Sequence, residues 1–558
     1  MEPRSTSRSM AREALGPAMI AASLAVVVAL AVRYIFALPT PAELYADQAT
    51  TRIPLPLFEA MLTTFGSGAK HLYLISALVI EAGLMALAGV LYVIARSRLL
   101  TLRERSREER PTAGTRMEAL AYVEAPLIMV TLWLLSAGLL APALGGGFFG
   151  AGLAGGASMT LLTQLAPDAV FALSLIWQSR ASLRTRTATG ADVPAVPRRM
   201  LLQQATLAAV TLGGGIALWQ ALTSGLGALL GTTPAQSSAP GVALSDQPTQ
   251  ITPPPVPTYT AFAPVQGQTP EVTSADSFYY VSKNLASDPA VDGASWRLAI
   301  SGLVDAPYTL TYDQLRALPQ ITQYHTLECI SNEVGGELMS TGYFTGVRLA
   351  DVLNLAHIQS SATEMIFKAA DGYSDSLHLS QALDQRSLIV YLLNGRPLPT
   401  AHGFPARLLI PGLYGMKNGK WLTELSLASG PYAGYWEQRG WTPEAVVKLT
   451  SRIDTPHDGD LLVARPTPIA GVAYGGEKGI ARVDVSVNGG KTWEPAEMRR
   501  PLGALTWTLW EYPWTPASGS HTLIVRAIDL NGAVQSYYPA SPLPDGAAGY
   551  HAIGVTVR

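Results

Sequence analysis

The stretch "HTLECISNEVGG", His325 to Gly336, contains Cys329, the only cysteine in 558 residues, and the role of that thiol decides how the soluble half of the chain is read. A lone cysteine is most often a small buried hydrophobe. Its neighbours point the other way: Glu328, Ser331, Asn332 and Gly335-Gly336 are polar or backbone-permissive, as in a loop that approaches a ligand closely. His325 lies four residues upstream and could assist a nucleophilic thiol, but nothing around it forms a thiol-hydrolase motif. A soft thiolate can also complete a metal centre whose other donors come from a cofactor. With one cysteine there is no intrachain disulfide and no multi-cysteine zinc or iron–sulfur site.

A second stretch, "HGFPARLLIPGLYGMKNGKWL", His402 to Leu422, sets Arg407, Lys417 and Lys420 among Gly403, Gly412, Gly415 and Gly419. Cations pair with phosphate, and glycines let the backbone come close, which is what an anionic cofactor requires. A solvated basic turn between strands is the plainer alternative. The "GKW" ending is not a P-loop, because Tyr414 stands where that motif needs glycine and Trp421 where it needs Ser or Thr.

Outward from these stretches the composition changes. The chain is 48% hydrophobic, 14% charged and carries a net charge of −2, which gives no sign of a nucleic-acid partner. Apolar residues concentrate in the first 230 positions. Five segments there, Ala18 to Phe36, Leu72 to Ala95, Ala119 to Leu144, Ser158 to Trp177 and Ala205 to Leu230, come near the ~20 residues that cross a bilayer. The fourth carries Asp168 beside Pro167, so a re-entrant helix is its alternative. Arginines fill the N-terminus and the second and fourth connections (Arg4, Arg8, Arg12; Arg96 to Arg116; Arg180 to Arg199), whereas "GGGFFGAGLAGGAS" has no charge. Positive residues stay on the cytoplasmic side, so the expected protein is multi-pass in the cytoplasmic membrane, N-terminus inside and C-terminus outside.

Four parts follow: an all-α transmembrane helical bundle over 1–231, a Pro/Ser/Thr-rich linker over 232–271, an α+β domain over 272–447 and an immunoglobulin-like β-sandwich over 448–558. The linker "TTPAQSSAPGVALSDQPTQITPPPVPTYT" is too polar to fold alone. In the α+β part, β-rich runs such as "WRLAISGLV" and "RSLIVYLL" alternate with helical patterns such as "TYDQLRALP" and "VRLADVLNLA". The last part reads as strands, with turns at Asn488-Gly489 and Asn531-Gly532 and Trp493, Trp507 and Trp510 as its expected core.

Taken together, "TLECISNEVGG", "HGFPARLLIPGLYGMKNGKWL", "GYWEQRGW" and the following strands resemble the sulfite oxidase family of molybdopterin enzymes over Val272 to Arg558. The resemblance implies molybdenum bound by one pyranopterin, with Cys329 as the protein ligand. It also implies that His402, Arg407 and Lys420 contact the pterin and its phosphate, with Lys417, Lys283, Asn284, Asn332 and the "DGYSDS" loop from Asp371 as further contacts. Tyr432 matches the tyrosine beside the metal in sulfite-oxidising members. The sandwich resembles that family's dimerisation domain, which implies a homodimer.

The substrate residues depart from the pattern. Animal sulfite oxidases clamp their oxyanion with arginines, and Ser282, Val334 and Ala552 stand at the aligning positions. A small-molecule or S-oxide substrate, or a polypeptide carrying one as in methionine sulfoxide reductases, therefore competes with sulfite. The family's fused haem domain is missing and only His71 lies near a span, so no haem is expected and the electron partner is a separate protein or a quinone. Glu81, within the second span, is either a proton or quinone group or a carboxyl satisfied in the bundle. Arg198-Arg199 resembles a twin-arginine export signal placed before the last span, with positive-inside charge as its alternative. The reading of a different class is a metal-free tethered binding or adhesion protein.

Overall fold

The computed structural model describes residues 3–36, 38–50, 53, 57, 68–107, 116–144, 146–151, 156–189, 198–223, 253–257, 263–284 and 288–558. The chain divides into two compact units, Met1–Ser237 with Lys283–Ser287, and Ser238–Ser282 with Asp288–Arg558.

In the first unit, five described helices are long and apolar enough to cross a membrane: Ala14–Phe36, Leu72–Arg96, Glu124–Ala143, Ala157–Ser179 and Arg199–Trp219. The fourth lies within one helix, Gly156–Thr189, that continues through Pro167. The fifth begins at Arg199 rather than near Ala205, since an arginine at a helix end can extend its charge to the interface; the predicted end of that span at Leu230 lies outside the described residues. Small residues bring the helices together. Ala18, Ala21, Ala22 and Ala25 pack on Met85, Phe171 and Leu175, and a Cβ on Gly89 would come within 2.9 Å of Ala18 and 3.1 Å of Phe171. Small residues permit this close approach, while Ile80, Leu84, Leu87 and Leu91 remain exposed on the outside.

The second unit contains four sheets among the described residues. The first is built from β1 (Arg297–Gly302), β2 (Tyr308–Thr311), β5 (Glu364–Ala369), β6 (Ser374–His378) and β10 (Leu422–Ala428), in the order β2-β1-β10-β5-β6. The second is built from β3 (Gln320–Glu328), β4 (Met339–Arg348), β7 (Leu388–Leu393) and β8 (Arg396–Pro397), with β9 (Arg407–Leu409) paired to β7. Between β2 and β3 the helix Tyr312–Ala317 is closed by a capping box: Gln314 N–H donates to Thr311 Oγ1 and Thr311 N–H to Gln314 Oε1. It stops two residues before Pro319, which cannot continue a helix.

Two further sheets, β11-β13-β17-β16 and β12-β19-β18-β14-β15, form the C-terminal region. Here β11 is Thr450–Thr455, β12 Leu461–Leu462, β13 Ile469–Tyr474, β14 Arg482–Ser486, β15 Glu494–Pro495, β16 Glu497–Met498, β17 Thr508–Tyr512, β18 Gly519–Ile528 and β19 His551–Val557. Ile453, Ile469 and Trp510 from one sheet meet Val483, Val485, Leu523 and Val555 from the other. Of the three tryptophans expected in this core, Trp510 is there, joined by Trp514. Trp493 is instead half-buried, with the Arg526 guanidinium 4.2 Å over its ring, because a cation–π partner favours a ring that stays near solvent. Trp507 packs with Ile330, Met339, Tyr414 and Trp441, so the cysteine loop and the sandwich share one core cluster. Part of the Pro-rich segment is laid on the sandwich too: Gln268 Nε2 donates to Gly471 O and Trp510 O, both at 3.1 Å.

Candidate active site

Cys329 directly follows β3, at the start of a loop that its own backbone closes. Cys329 N–H donates to Leu338 O at 2.9 Å and Asn332 N–H to Cys329 O at 3.0 Å. The Asn332 side chain locks the loop, its Nδ2 donating to Glu328 Oε1 at 3.0 Å and its Oδ1 accepting from Leu338 N–H at 2.9 Å. Both ends of that amide therefore serve the loop itself. Gly336 is required here, since a Cβ would lie 2.5 Å from Asn332 Oδ1. The Cys329 Sγ lies 3.0 Å from Ser331 Oγ. Burial pushes the thiol pKa up, with a further rise from the Glu328 charge, while Ser331 and Lys420 act to lower it.

The basic stretch reaches the same place. A Cβ on Gly415 would sit 2.6 Å from Tyr279 Oη and 3.9 Å from Cys329 Cα, so this glycine allows the His402–Leu422 segment to lie directly against the cysteine backbone. Gly403, at φ +107, leaves room for its neighbours: a Cβ there would stand 3.0 Å from the Cβ of Lys420 and 3.2 Å from that of Arg407. His402, Arg407 and Lys420 are thereby gathered at one corner.

Arg407 is only 5% exposed. Its Nη1 donates to His402 O at 3.3 Å and its Nη2 to Asn418 O at 3.0 Å, and its Nε has no partner among the described residues. A buried guanidinium held only by carbonyls lacks a compensating negative charge. Burial lowers its pKa to about 10. The same burial, with the Arg407 charge beside it, takes His402 down to about 4 and His325 to about 3, so both imidazoles are neutral at pH 7. Lys420 Nζ donates to Val281 O and Ala401 O, each at 3.0 Å, and lies 4.3 Å over the Trp421 ring.

Lys417, grouped with these cations by sequence, is in different surroundings. Its Nζ donates to Asp375 Oδ1 at 2.7 Å, Ser376 O at 3.0 Å and Glu437 Oε1 at 2.5 Å. The "DGYSDS" loop folds onto the same cluster, Tyr373 Oη donating to Asp375 Oδ2 at 2.9 Å. Tyr432 adjoins it, its hydroxyl 2.8 Å from Ser374 Oγ and its carbonyl accepting from Ser376 Oγ at 3.2 Å. Lys283 and Asn284 group with the first unit, where Lys283 Nζ donates to Asn284 Oδ1 at 3.2 Å.

Sequence reasoning missed Tyr279 and Arg452. Tyr279 stands between Cys329 and Arg407, and burial and the Cys329 charge push its hydroxyl well above the ordinary range; its place inside "FYYVSKN" was the available signal. Arg452 reaches from β11 to the cysteine loop, its Nη1 donating to Gly336 O at 2.6 Å. No cluster of three or more His, Cys, Asp or Glu side chains that could hold a metal occurs among the described residues. A metal at Cys329 would therefore take most of its donors from a cofactor, and the uncompensated Arg407 fits the anionic part of such a group.

Residues 285–436 match the oxidoreductase molybdopterin binding domain and residues 444–541 the Mo-co oxidoreductase dimerisation domain. The uncharacterized oxidoreductase YuiH of Bacillus subtilis is 32% identical over 150 residues, 27% of this chain and 74% of that one. The chain belongs to the sulfite oxidase family of molybdopterin-dependent oxidoreductases. Human mitochondrial sulfite oxidase is 30% identical to this oxidoreductase over 305 residues, which cover 46% of this chain and 56% of the human one. The chain thus spans little more than half the length of that relative. The crystal structure of the sulfane dehydrogenase SoxCD from Paracoccus pantotrophus aligns with 21% identity and a TM-score of 0.45, over 56% of this chain and 92% of the other.

Proposed function

We propose that this oxidoreductase catalyses two-electron oxygen-atom transfer at a molybdenum atom held by one pyranopterin and by Cys329, outside the cytoplasmic membrane in which its apolar helices anchor it. The observation that carries the reading is Arg407, a buried cation whose described partners are carbonyls only, packed beside Gly403 and Lys420, with Tyr279 neighbouring both it and Cys329. An anionic group at that corner supplies the missing charge. When bound, the cofactor provides a two-electron centre that exchanges an oxygen atom with substrate.

The chain's own groups have separate tasks. Cys329 would anchor the metal, and Arg407, His402 and Lys420 would hold the phosphate end. Asn332 and Lys417 act one step back, fixing the loop and the wall that carry the contacts. The Tyr432 hydroxyl, 2.8 Å from Ser374 Oγ, serves as a hydrogen-bonding group. A separate electron-transfer protein or a quinone takes or supplies electrons, and the β-sandwich pairs two copies. The arginine pattern of the connections supports the outward orientation.

Elemental analysis of the purified full chain tests the centre. Wild type is expected to carry molybdenum, with at least tenfold less in Cys329→Ser and in Arg407→Gln. No molybdenum in wild type, or an equal content in Cys329→Ser, would defeat the reading. A periplasm-active reporter fused after Arg558 tests the topology and is expected to be active.

A further inference from the structure

The helical unit holds two carboxyl groups that the chemistry at Cys329 leaves unused. Glu81 lies in Leu72–Arg96 and Asp168 in Ala157–Ser179, two of the apolar spans, where an ionisable side chain is costly and marks function. Both sit at the edge of their helix's buried stripe. Asp168 is only 8% exposed, yet Leu161 and Leu165, seven and three residues earlier and so on its side of the helix, are exposed. Leu84, one turn beyond Glu81, is exposed as well, whereas Leu78 and Met85 on its other side are buried. The two carboxyls thus line seams between the bundle interior and its apolar outer surface.

Their charges act on each other and on Tyr45, and no cation acts on either among the described residues. Glu81 Oε2 is buried without a partner there, and Asp168 has no hydrogen-bond or ion-pair partner among the described residues. Glu43 shows the opposite arrangement: Arg33 Nε and Thr40 N–H donate to its two oxygens, so its charge is met within the chain. Two buried carboxyls left open beside it are prepared for a molecule that brings its own polar atoms.

The neighbouring groups indicate its class. Gln164, one turn before Asp168, donates through Nε2 to Tyr45 Oη at 2.8 Å and accepts on Oε1 from Ser136 Oγ at 2.8 Å. Ser136 belongs to a π-helical turn, Leu134–Leu140, a wide turn that recurs at functional sites. Just before that turn, Trp133 stacks on Phe149 with centroids 5.1 Å apart, and its Nε1 is buried without a partner among the described residues. Open carboxyls, an aromatic pair and access from an apolar surface suit a flat lipophilic ring that carries oxygens. A metal ion lacks ligands, since no group of three or more His, Cys, Asp or Glu that could hold one occurs among the described residues. An anionic lipid headgroup would find no cation.

We propose that the Glu81–Asp168 cluster binds the headgroup of a membrane quinone, with these carboxyls hydrogen-bonding its ring oxygens. A carboxyl serves both redox forms, because protonated it donates to a quinone carbonyl and ionised it accepts from a quinol hydroxyl. The inference rests on the proposed function for the membrane setting of these helices.

The full chain in detergent decides it. Titrated with decylubiquinone, its tryptophan emission is expected to be quenched saturably, with affinity lower by about tenfold or more in Asp168→Leu and in Glu81→Leu. Decylbenzene, which carries the same tail and no ring oxygens, should not displace the quinone. A photoreactive azido derivative of decylubiquinone should label peptides from Leu72–Arg96 and Ala157–Ser179, a readout that needs no variant. Absence of saturation, wild-type affinity in both variants, displacement by decylbenzene or labelling confined to the other spans would overturn the inference. Molybdenum content of the same preparations tests the proposed function separately, and the titration decides the quinone site whatever that content is.

Discussion

Arg407 and Lys417 stand ten positions apart, both among glycines and both buried, yet their surroundings are opposites. Lys417 is enclosed by two carboxylates, Asp375 and Glu437, whereas Arg407 meets carbonyls and leaves Nε without a partner among the described residues. A buried charge with its counter-charges supplied internally is part of the scaffold, and one without them is prepared for an incoming anion. The two cations read alike in sequence, and only the strands that bring Asp375 and Glu437 together separate them.

The sharpest way to break this contrast is to neutralise each cation in turn. Lys417→Met leaves two buried carboxylates facing each other and should cost about 3–5 kcal/mol near pH 8, read from denaturant unfolding of the full chain followed by tryptophan emission. Arg407→Gln removes a charge that nothing compensates, so cofactor-free protein should lose only about 1 kcal/mol, the net worth of its hydrogen bonds. Its molybdenum content should nevertheless fall at least tenfold. Equal destabilisation by the two substitutions would show that Arg407 is as much a scaffold residue as Lys417.

Much of this site could be read locally, and what could not is long-range. Cys329 is conspicuous because it is solitary, and Gly403 and Gly415 because they flank cations in one short stretch. Periodicity located β1, β7 and the capped helix Tyr312–Ala317, since these depend on neighbours two to four residues away. Contacts between distant segments left no such mark. Arg452 reaching Gly336 and Val334 meeting Ala552 both depend on how the C-terminal strands dock, and nothing in their own flanking residues encodes it. Trp493 looked like core by residue type, but its surroundings are set by Arg526, on a neighbouring strand.

The reach of the uncompensated charge can be measured at His325. Burial, with Arg407 beside it, lowers its pKa to about 3 from an ordinary 6.5. A group whose folded pKa is depressed contributes its stability fully above the unfolded value and loses it as pH falls, here between about pH 6.5 and 3. Wild type should thus lose about 2 kcal/mol between pH 7 and 5 from this group, and His325→Gln should flatten that limb. An unchanged acid limb in His325→Gln would mean that His325 does not stay neutral in the folded chain, and that the corner is less positive than Arg407 makes it.

The compensated cluster offers the smallest and most discriminating change. Asp375 has its pKa raised, first by burial and then by the Glu437 charge, against the lowering effect of Lys417. A raised folded pKa means stability that is fully present below the unfolded value near 3.8 and declines as pH rises through the folded one. Glu437→Gln removes the like charge but keeps only one of the two bonds that Glu437 accepts on separate oxygens, from Lys417 and from Gly434 N–H; the loss of one bond offsets the relief of repulsion, so the net effect at pH 6 should stay within about 1 kcal/mol. The decline between pH 5 and 8 should become shallower, because Asp375 alone then pairs with Lys417 and ionises more readily. Unfolding midpoints at four pH values would decide it: a steeper decline in Glu437→Gln would mean that Glu437 stabilises the Asp375 charge through Lys417 more than it repels it, and that the cluster is balanced as a unit of three.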